Sequence, residues 1–184
     1  MARERLKASK DGRHLAAVMI VDVAGYTALA KENESEARTL LETLKQRLQP
    51  ILVKYKGREV KEVGDTCIIE FGNALDAVNC AVEIQTGLES EKLMMSDGKE
   101  MMIRIGLHLG DVVHHGGDVL GEAVNVASRI EILAAPGGVC VSRQVYDQVW
   151  NEVDYEMTML SPSDLKNVQY PTEVYRISGR KTVH

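Results

Sequence analysis

Cysteine, aromatic residues and long hydrophobic runs are all scarce in this 184-residue chain. The three cysteines, Cys67, Cys80 and Cys140, stand singly in apolar surroundings without Cys-X-X-Cys spacing. This pattern excludes a disulfide framework and favours buried, reduced thiols in a cytoplasmic compartment. No apolar run approaches the roughly 20 residues of a spanning helix, and the polar, basic opening through Arg13 lacks the hydrophobic middle of a signal peptide. We therefore expect a soluble, cytoplasmic chain with no membrane segment.

An excess of basic residues is also missing, because 22 Lys and Arg stand against 27 Asp and Glu and the net charge is −5. Scattered basic residues in an acidic chain argue against nucleic acid as a partner. No Walker-type Gly-X4-Gly-Lys motif is present, which excludes a P-loop nucleotide site. With 45% hydrophobic residues, the chain can bury one sizeable core, so we expect one domain. Such a unit can also be one module of a longer polypeptide.

Hydrophobic spacing predicts helices that alternate with strands. Residues 15–23 are almost wholly apolar, as expected of a strand buried on both faces. From Asn33 to about Tyr55 apolar residues recur at helical spacing, with Asn33 placed as an N-cap and Pro50 predicting a bend or a break. The remaining segments predict a hairpin turning at 64–65, a helix over 74–88, a charged loop over 89–99, a strand over 103–109 with one dry face, a helix ending near 134, a strand over 139–141, a helix over 143–150, and strands over 154–159 and 173–177. This order predicts an α/β sandwich with the first strand central.

The most informative segment spans residues 117–129, where a predicted helix carries Asn125 and Arg129 one turn apart. Residues at i and i+4 share a helix face, so the two side chains should point in the same direction. Arg offers a planar fork to phosphate oxygens and Asn can both donate and accept, which indicates an anionic or hydroxyl-rich ligand. The alternative is a surface ion pair of Arg129 with Glu122 or Glu131.

Two acids follow short apolar strands and form a second candidate site. Asp22 ends the predicted central strand and Asp65 lies at the hairpin tip, so the two could jointly bind a hard divalent cation. The alternatives are a helix cap or turn for Asp22 and a simple hairpin turn for Asp65. Between Gly25 and the short helix that begins near Thr27, backbone N–H groups at a helix start could receive a triphosphate.

A histidine-rich stretch resembles a metal cluster only superficially. His108, His114 and His115 lie near Asp111, but consecutive histidines point to opposite faces of a strand. We therefore assign these four residues a structural or solvated role and leave them out of the predicted site.

Several motifs, in this order along the chain, resemble those of class III nucleotidyl cyclase catalytic domains: Val-Asp-Val-Ala-Gly-Tyr-Thr at 21–27, Lys-Glu-Val-Gly-Asp at 61–65, the run from Asp118 through Arg129, and Leu-Lys-Asn at 165–167 before Val-Tyr-Arg at 174–176. The resemblance covers residues 15–178, which it marks as the catalytic domain, with 1–14 as an N-terminal extension or linker and 179–184 as a tail. The chain departs from the family pattern at Asn167, where Gly usually follows the lysine, and at Thr66.

The resemblance implies a ferredoxin-like βαββαβ core with extra C-terminal strands and a helix. It also implies two Mg²⁺ or Mn²⁺ ions per active site, held by Asp22, Asp65 and the backbone carbonyl of Val23. With these ions bound, the ribose 3′-hydroxyl of the substrate would attack the α-phosphorus in line and pyrophosphate would leave.

Other roles come from the same resemblance. Asn125 would orient the ribose, Arg129 would stabilise charge growing on the α-phosphate, and Lys166 would neutralise the terminal phosphates. The backbone at the Gly25, Tyr26 and Thr27 turn would lie against the triphosphate. The family architecture further implies a head-to-tail homodimer with two interface sites, in which one subunit supplies Asp22 and Asp65 and the other supplies Lys61, Asp118, Asn125, Arg129 and Lys166.

By the same resemblance, Lys61 and Asp118 would read the edge of the purine. Adenine offers an acceptor at N1 and a donor at its 6-amino group, so a Lys donor and an Asp acceptor fit ATP, whereas guanine presents the reverse. The expected function is therefore that of an adenylyl cyclase. The alternatives are a guanylyl cyclase and a non-catalytic nucleotide-binding or dimerisation module, and Lys61 taken alone could be a solvated strand charge beside Glu59 or Glu62. A regulatory domain or partner outside the chain is left open.

Overall fold

The computed structural model describes residues 12–161 and 173–180, which form helices packed on one large mixed sheet. In chain order the elements are β1 (Arg13–Val23), α1 (Tyr26–Glu32), α2 (Glu34–Lys54), β2 (Arg58–Val63), β3 (Thr66–Phe71), α3 (Ala74–Ser90), β4 (Leu93–Met94), β5 (Glu100–Met101), β6 (Ile103–His115), β7 (Asp118–Leu120), α4 (Glu122–Leu133), β8 (Val139–Ser142), α5 (Arg143–Val149), β9 (Tyr155–Met159) and β10 (Val174–Arg180). The predicted alternation of helices and strands is confirmed.

The strand order of the large sheet is β2-β3-β1-β6-β8-β10-β9, with β7 paired to β6 beside this path. β1 runs antiparallel to both β3 and β6, which confirms its predicted central position. The succession β1, α2, β2, β3, α3, β6 is a ferredoxin-like βαββαβ core, since β1 lies between its third and fourth strands. The other elements of the sheet layer, β8 to β10, extend this core on the β6 side.

The two faces of β1 are covered by different helices. Alternate residues of a strand point to opposite faces, so β1 contributes to two separate hydrophobic clusters. One face packs with α2 and α3 through Ala17, Met19, Val21 and Val23. The other packs with α4 through Ala16, Val18 and Ile20, against Ala123 and Ala127. This burial on both sides confirms the prediction from the apolar run, and it places Asp22, two residues after Ile20, on the α4 face.

Helix α2 begins as predicted but does not break at its proline. The side chain of Asn33 accepts a hydrogen bond from the backbone amide of Glu36, which is the expected N-cap. Pro50 lies inside a helix that continues to Lys54. The expectation of a break was therefore wrong, because the buried residues Leu44, Leu48 and Leu52 pack against the sheet on both sides of the proline.

Three other segments also differ from the expectation. The segment predicted as a charged loop over 89–99 includes the strand β4, which pairs with β5 directly after that segment. β6 extends to His115, and its first half, through His108, is covered on both faces. Only one buried face was expected for this strand, but α4 lies directly over Gly106. An added Cβ at Gly106 would stand 2.3 Å from the backbone nitrogen of Glu131. Asp118 belongs to the short strand β7, which pairs with the end of β6.

Within the described ranges, no helix combines the length and apolar character needed to cross a membrane.

Candidate active site

The carboxylates of Asp22 and Asp65 lie close together at one end of the sheet. Asp22 is the penultimate residue of β1. Asp65 lies in the turn between β2 and β3, and β3 is the strand that pairs with β1. Burial raises the pKa of Asp65 above its ordinary value of 3.8, and the negative charge of Asp22 raises it further. Hydrogen bonds from the backbone amides of Asp65 and Val23 act in the opposite direction. The structure thus brings the two predicted metal ligands together.

Thr66, which departs from the family pattern, contacts this site directly. Its hydroxyl donates a 2.6 Å hydrogen bond to Oδ1 of Asp22. The bond joins the first residue of β3 to the end of β1 and fixes the orientation of the Asp22 carboxylate. The departure therefore adds a donor beside the predicted ligands.

A third acid lies near this pair and was missed as a site residue. Glu131, on the inner face of α4, is only 6% exposed. Burial raises its pKa from 4.5 to about 7, the charges of Asp22 and Asp65 add to the rise, and Arg104 opposes it. Arg104 lies opposite Asp22 in the register of the β1–β6 strand pair. Within the described part of the chain, Oε1 of Glu131 and Nε of Arg104 are buried without a hydrogen-bond partner.

A signal for Glu131 was present in the spacing. Ala123, Ala127 and Glu131 recur every four residues, which places the glutamate on the apolar stripe of the helix rather than on its solvent face. The spacing of Glu131 from Arg129 by itself indicates only a surface ion pair, which the burial of Glu131 contradicts.

Lys61 and Asp118, the two predicted purine-reading residues, meet in the folded chain. The Nζ atom of Lys61 lies 3.0 Å from Oδ2 of Asp118, although 57 positions separate them in sequence. Lys61 comes from β2 and Asp118 from β7, and both side chains are about half exposed. The two groups thus present a donor and an acceptor side by side to solvent.

Asn125 and Arg129 lie on the outward side of α4. Both are exposed, while the buried residues of this helix, Ala123, Ala127, Ile130 and Glu131, face the sheet and its neighbours. The i and i+4 spacing puts the carboxamide and the guanidinium on one face, as expected. This face points away from the β1 side of the helix.

The turn at Gly25 has the predicted form. Gly25 has a φ of 76° and is the N-cap of α1. Because glycine has no side chain, no side-chain hydrogen bond caps this end of the helix. Its carbonyl accepts the backbone amides of Ala28 and Leu29. Tyr26 is half-buried and Thr27 exposed. Contact of this turn with a triphosphate stays a prediction.

Lys166, and Asn167 after it, lie outside the described residues. Of the histidines that the sequence analysis set aside, His108 is buried and His115 is exposed. His114 contacts Glu70, with its Nε2 atom 3.1 Å from Oε2 of the carboxylate.

Comparison with known proteins identifies the family. The sequence pattern described as "Adenylate and Guanylate cyclase catalytic domain" matches residues 10–179. The chain belongs to this family. It is 32% identical to a crystal structure from Silicibacter pomeroyi titled adenylate/guanylate cyclase/hydrolase, with a TM-score of 0.81 over 91% of this chain and 98% of that one.

Curated relatives include both kinds of cyclase. A Rhizobium meliloti protein, provisionally named adenylate cyclase 3, is 33% identical over 181 residues, which are 98% of this chain and 30% of that protein. The receptor-type guanylate cyclase gcy-13 of Caenorhabditis elegans is 28% identical over 71% of this chain and 14% of its own length. The chain thus spans less than a third of these relatives. The class III nucleotidyl cyclase resemblance is confirmed, and the chain is a nucleotidyl cyclase catalytic domain.

Proposed function

We propose that this domain is an adenylyl cyclase, which converts ATP to 3′,5′-cyclic AMP and pyrophosphate. The observation that carries the choice of ATP is the Lys61–Asp118 pair, held at 3.0 Å on the surface. The ammonium of Lys61 can donate to N1 of adenine, and the Asp118 carboxylate can accept from the 6-amino group. Guanine has a donor at N1 and an acceptor at O6, so the same pair would oppose it at both atoms.

The residues at the end of β1 fit a divalent cation. Two carboxylates are close enough for the charge of Asp22 to raise the pKa of Asp65, and a bound cation would relieve that repulsion. Carboxylate and carbonyl oxygens are the ligands that Mg²⁺ and Mn²⁺ prefer, and we assign them to Asp22, Asp65 and the carbonyl of Val23. When bound, the two ions would lower the pKa of the ribose 3′-hydroxyl and neutralise the triphosphate.

The chain's own donors would then stabilise the reacting nucleotide. Asn125 would hydrogen-bond the ribose and hold its 3′-oxygen in line with the α-phosphorus, while the guanidinium of Arg129 would neutralise charge that grows on the α-phosphate oxygens. Lys166 would bind the terminal phosphates. A positioned donor acts more strongly on the transition state than on the bound substrate, so removing Arg129 should cost about a hundred- to a thousandfold in turnover.

We further propose that two copies of the chain share each site. Asn125 and Arg129 are exposed on the outer face of α4, whereas Asp22 lies on the sheet face that the inner side of α4 covers. One head-to-tail partner would bring the donors of its α4 to the carboxylates of the first copy. Each dimer would then hold two equivalent sites.

The first test is product formation by the purified chain with Mn²⁺ and either ATP or GTP. We expect cyclic AMP from ATP, and the charge-removing variant Asp65→Asn should lower its formation at least about a hundredfold. Cyclic GMP as the main product would contradict the base-reading argument and favour a guanylyl cyclase. No product from either nucleotide, in a dimeric sample that binds ATP, would favour the non-catalytic binding module.

The second test exchanges the purine-reading groups. The resemblance to the family implies that guanylyl cyclases carry Glu and a small residue such as Cys at these two positions. We therefore expect the double variant Lys61→Glu with Asp118→Cys to favour GTP over ATP. Lys99→Glu makes the same Lys-to-Glu replacement at an exposed residue away from this pair and should leave the preference unchanged. An unaltered ATP preference in the double variant would refute the assigned roles.

The third test mixes inactive variants. Asp22→Ala and Arg129→Ala should each be inactive, and their mixture should regain partial activity, because a mixed dimer keeps one intact site. A mixture of Asp22→Ala with Asp65→Ala should stay inactive, since both variants damage the same half of the site. If the first mixture stays as inactive as its components, shared sites are wrong.

A further inference from the structure

A second group of potential metal ligands lies at the other end of β1, on the same face as Asp22. His14 is near the start of β1, Glu70 is on β3 and His114 is on β6. Nε2 of His14 lies 2.5 Å from Oε1 of Glu70, and Nε2 of His114 lies 3.1 Å from Oε2. The ligand atoms of the three residues all lie within 4.8 Å of one another. With a rise of about 3.3 Å per residue, the eight residues from His14 to Asp22 span about 26 Å.

The pairing of three neighbouring strands makes these side chains converge. Glu70 is opposite Val18 in the β1–β3 ladder, and Val112 is opposite His14 in the β1–β6 ladder. Residues two or four apart on a strand share a face, so His14, Glu70 and His114 all project from one side of the sheet. The two imidazole rings stack with their centroids 4.9 Å apart and an angle of 8° between their planes.

We propose that His14, Glu70 and His114 form a zinc-binding site separate from the proposed catalytic metal site. Two imidazole nitrogens and one carboxylate oxygen are a ligand set that suits Zn²⁺ better than Mg²⁺. Three protein ligands leave a fourth tetrahedral position for water. The Glu70 side chain is 9% exposed, whereas those of His14 and His114 are 36% and 28% exposed, so an ion can enter from solvent and still find a buried carboxylate.

The guanidinium of Arg58 lies at the position where the cation would bind. Its guanidinium donates a 2.7 Å hydrogen bond to Oε2 of Glu70 and lies 3.0 Å from Nε2 of His114. Zinc and this guanidinium would compete for the same carboxylate and the same imidazole nitrogen. The Arg58 side chain is 60% exposed and can move into solvent. The affinity for zinc should therefore rise when Arg58 is removed and fall when a histidine is removed.

The test measures zinc binding to the whole purified chain by isothermal titration calorimetry, with millimolar Mg²⁺ present to occupy the catalytic carboxylates. We expect one zinc ion per chain. His14→Ala and His114→Ala should each weaken the affinity at least about tenfold, and Arg58→Ala should strengthen it. His115→Ala, an exposed neighbour, and Asp65→Ala, at the catalytic end, should leave it unchanged.

A second measurement detects the metal site directly, through the visible absorption of bound cobalt(II). Cobalt(II) in a tetrahedral site of nitrogen and oxygen ligands absorbs visible light strongly, so the wild-type chain with cobalt should show this absorption and His14→Ala should not. His14 is partly exposed, so its replacement should leave the fold intact, as a circular dichroism spectrum would verify. Zinc binding that persists in both histidine variants, that disappears in Asp65→Ala, or that is absent from the wild type would each overturn the proposal.

Discussion

Replacing Glu131 with Gln should change how the stability of the metal-free protein depends on pH. Glu131 is 6% exposed, and burial raises the pKa of its carboxyl group from 4.5 to about 7 with a further contribution from Asp22. Below pH 4.5 the group is neutral in both the folded and the unfolded chain. Between pH 4.5 and 7 it ionises in the unfolded chain only, so the folded state loses stability as the pH rises.

The size of the effect follows from the two pKa values. The rise of the Glu131 pKa from 4.5 to about 7 lowers the free energy of unfolding at high pH by about 3 kcal/mol, because each unit of pKa shift corresponds to about 1.4 kcal/mol. That is a large share of the free energy of unfolding of a typical domain, which is roughly 5–15 kcal/mol. Gln has nearly the same shape and cannot ionise. At pH 8 the Glu131→Gln variant should therefore be more stable than the wild type by up to about 3 kcal/mol, and the difference should shrink towards pH 5.

Urea unfolding at pH values from 5 to 8, with EDTA present to remove metal, measures this difference. Titrating groups that do not interact with Glu131 contribute equally to both proteins, so subtracting the two curves leaves the contribution of Glu131 and of its coupling to Asp22 and Asp65. The control is Glu42→Gln, because Glu42 is exposed on α2 and should give no such trend. Parallel stability curves for the wild type and Glu131→Gln over this range would refute a buried Glu131 carboxyl group with a raised pKa.

Three further changes have expected outcomes. Gly106→Ala should lower the free energy of unfolding by about 1–3 kcal/mol in urea titrations, since its Cβ would clash with the α4 backbone. The control Gly72→Ala places its Cβ in open space and should cause no clash, so equal stabilities of the two variants would contradict this packing. Thr66→Val should raise the Mn²⁺ concentration needed for half-maximal cyclase activity, because it removes the hydroxyl that donates to Asp22, whereas Thr66→Ser keeps that hydroxyl and should not. Identical Mn²⁺ titrations of the two variants would refute a role of Thr66 in orienting Asp22. Pro50→Ala should stabilise the protein by about 1–3 kcal/mol in urea, since a helix-interior proline removes a hydrogen bond, and a loss of stability would show that Pro50 is needed there.

The elements that depend on local pattern were predictable. The apolar run of β1, the helical spacing of α2 with its Asn33 cap and the hairpin at residues 64–65 each depend on residues close together in sequence. Pro50 was the exception, because the burial of leucines on both sides of it outweighed the local preference against a helix-interior proline. The strand β7 was also missed, since three residues give too short a pattern to show a period.

The candidate site was only partly predictable, for a related reason. The family motifs named Asp22 and Asp65, but residue type alone indicated no role for Glu131 beside them. Its place was decided by α4 lying on the sheet over Gly106, which buries the carboxyl group near Asp22. His14 carried no signal of its own, because its partner Glu70 is 56 residues away.

By itself, the sequence determined the chemical groups that the chain has available and the surfaces that must be buried, because residue type and hydrophobic period are local properties. The tertiary structure alone decided which of these residues meet. Sheet order and register place Lys61 beside Asp118, and they gather His14, Glu70 and His114 on one face. Such contacts join residues tens of positions apart, and they form only when neighbouring strands align to bury their apolar faces against the helices.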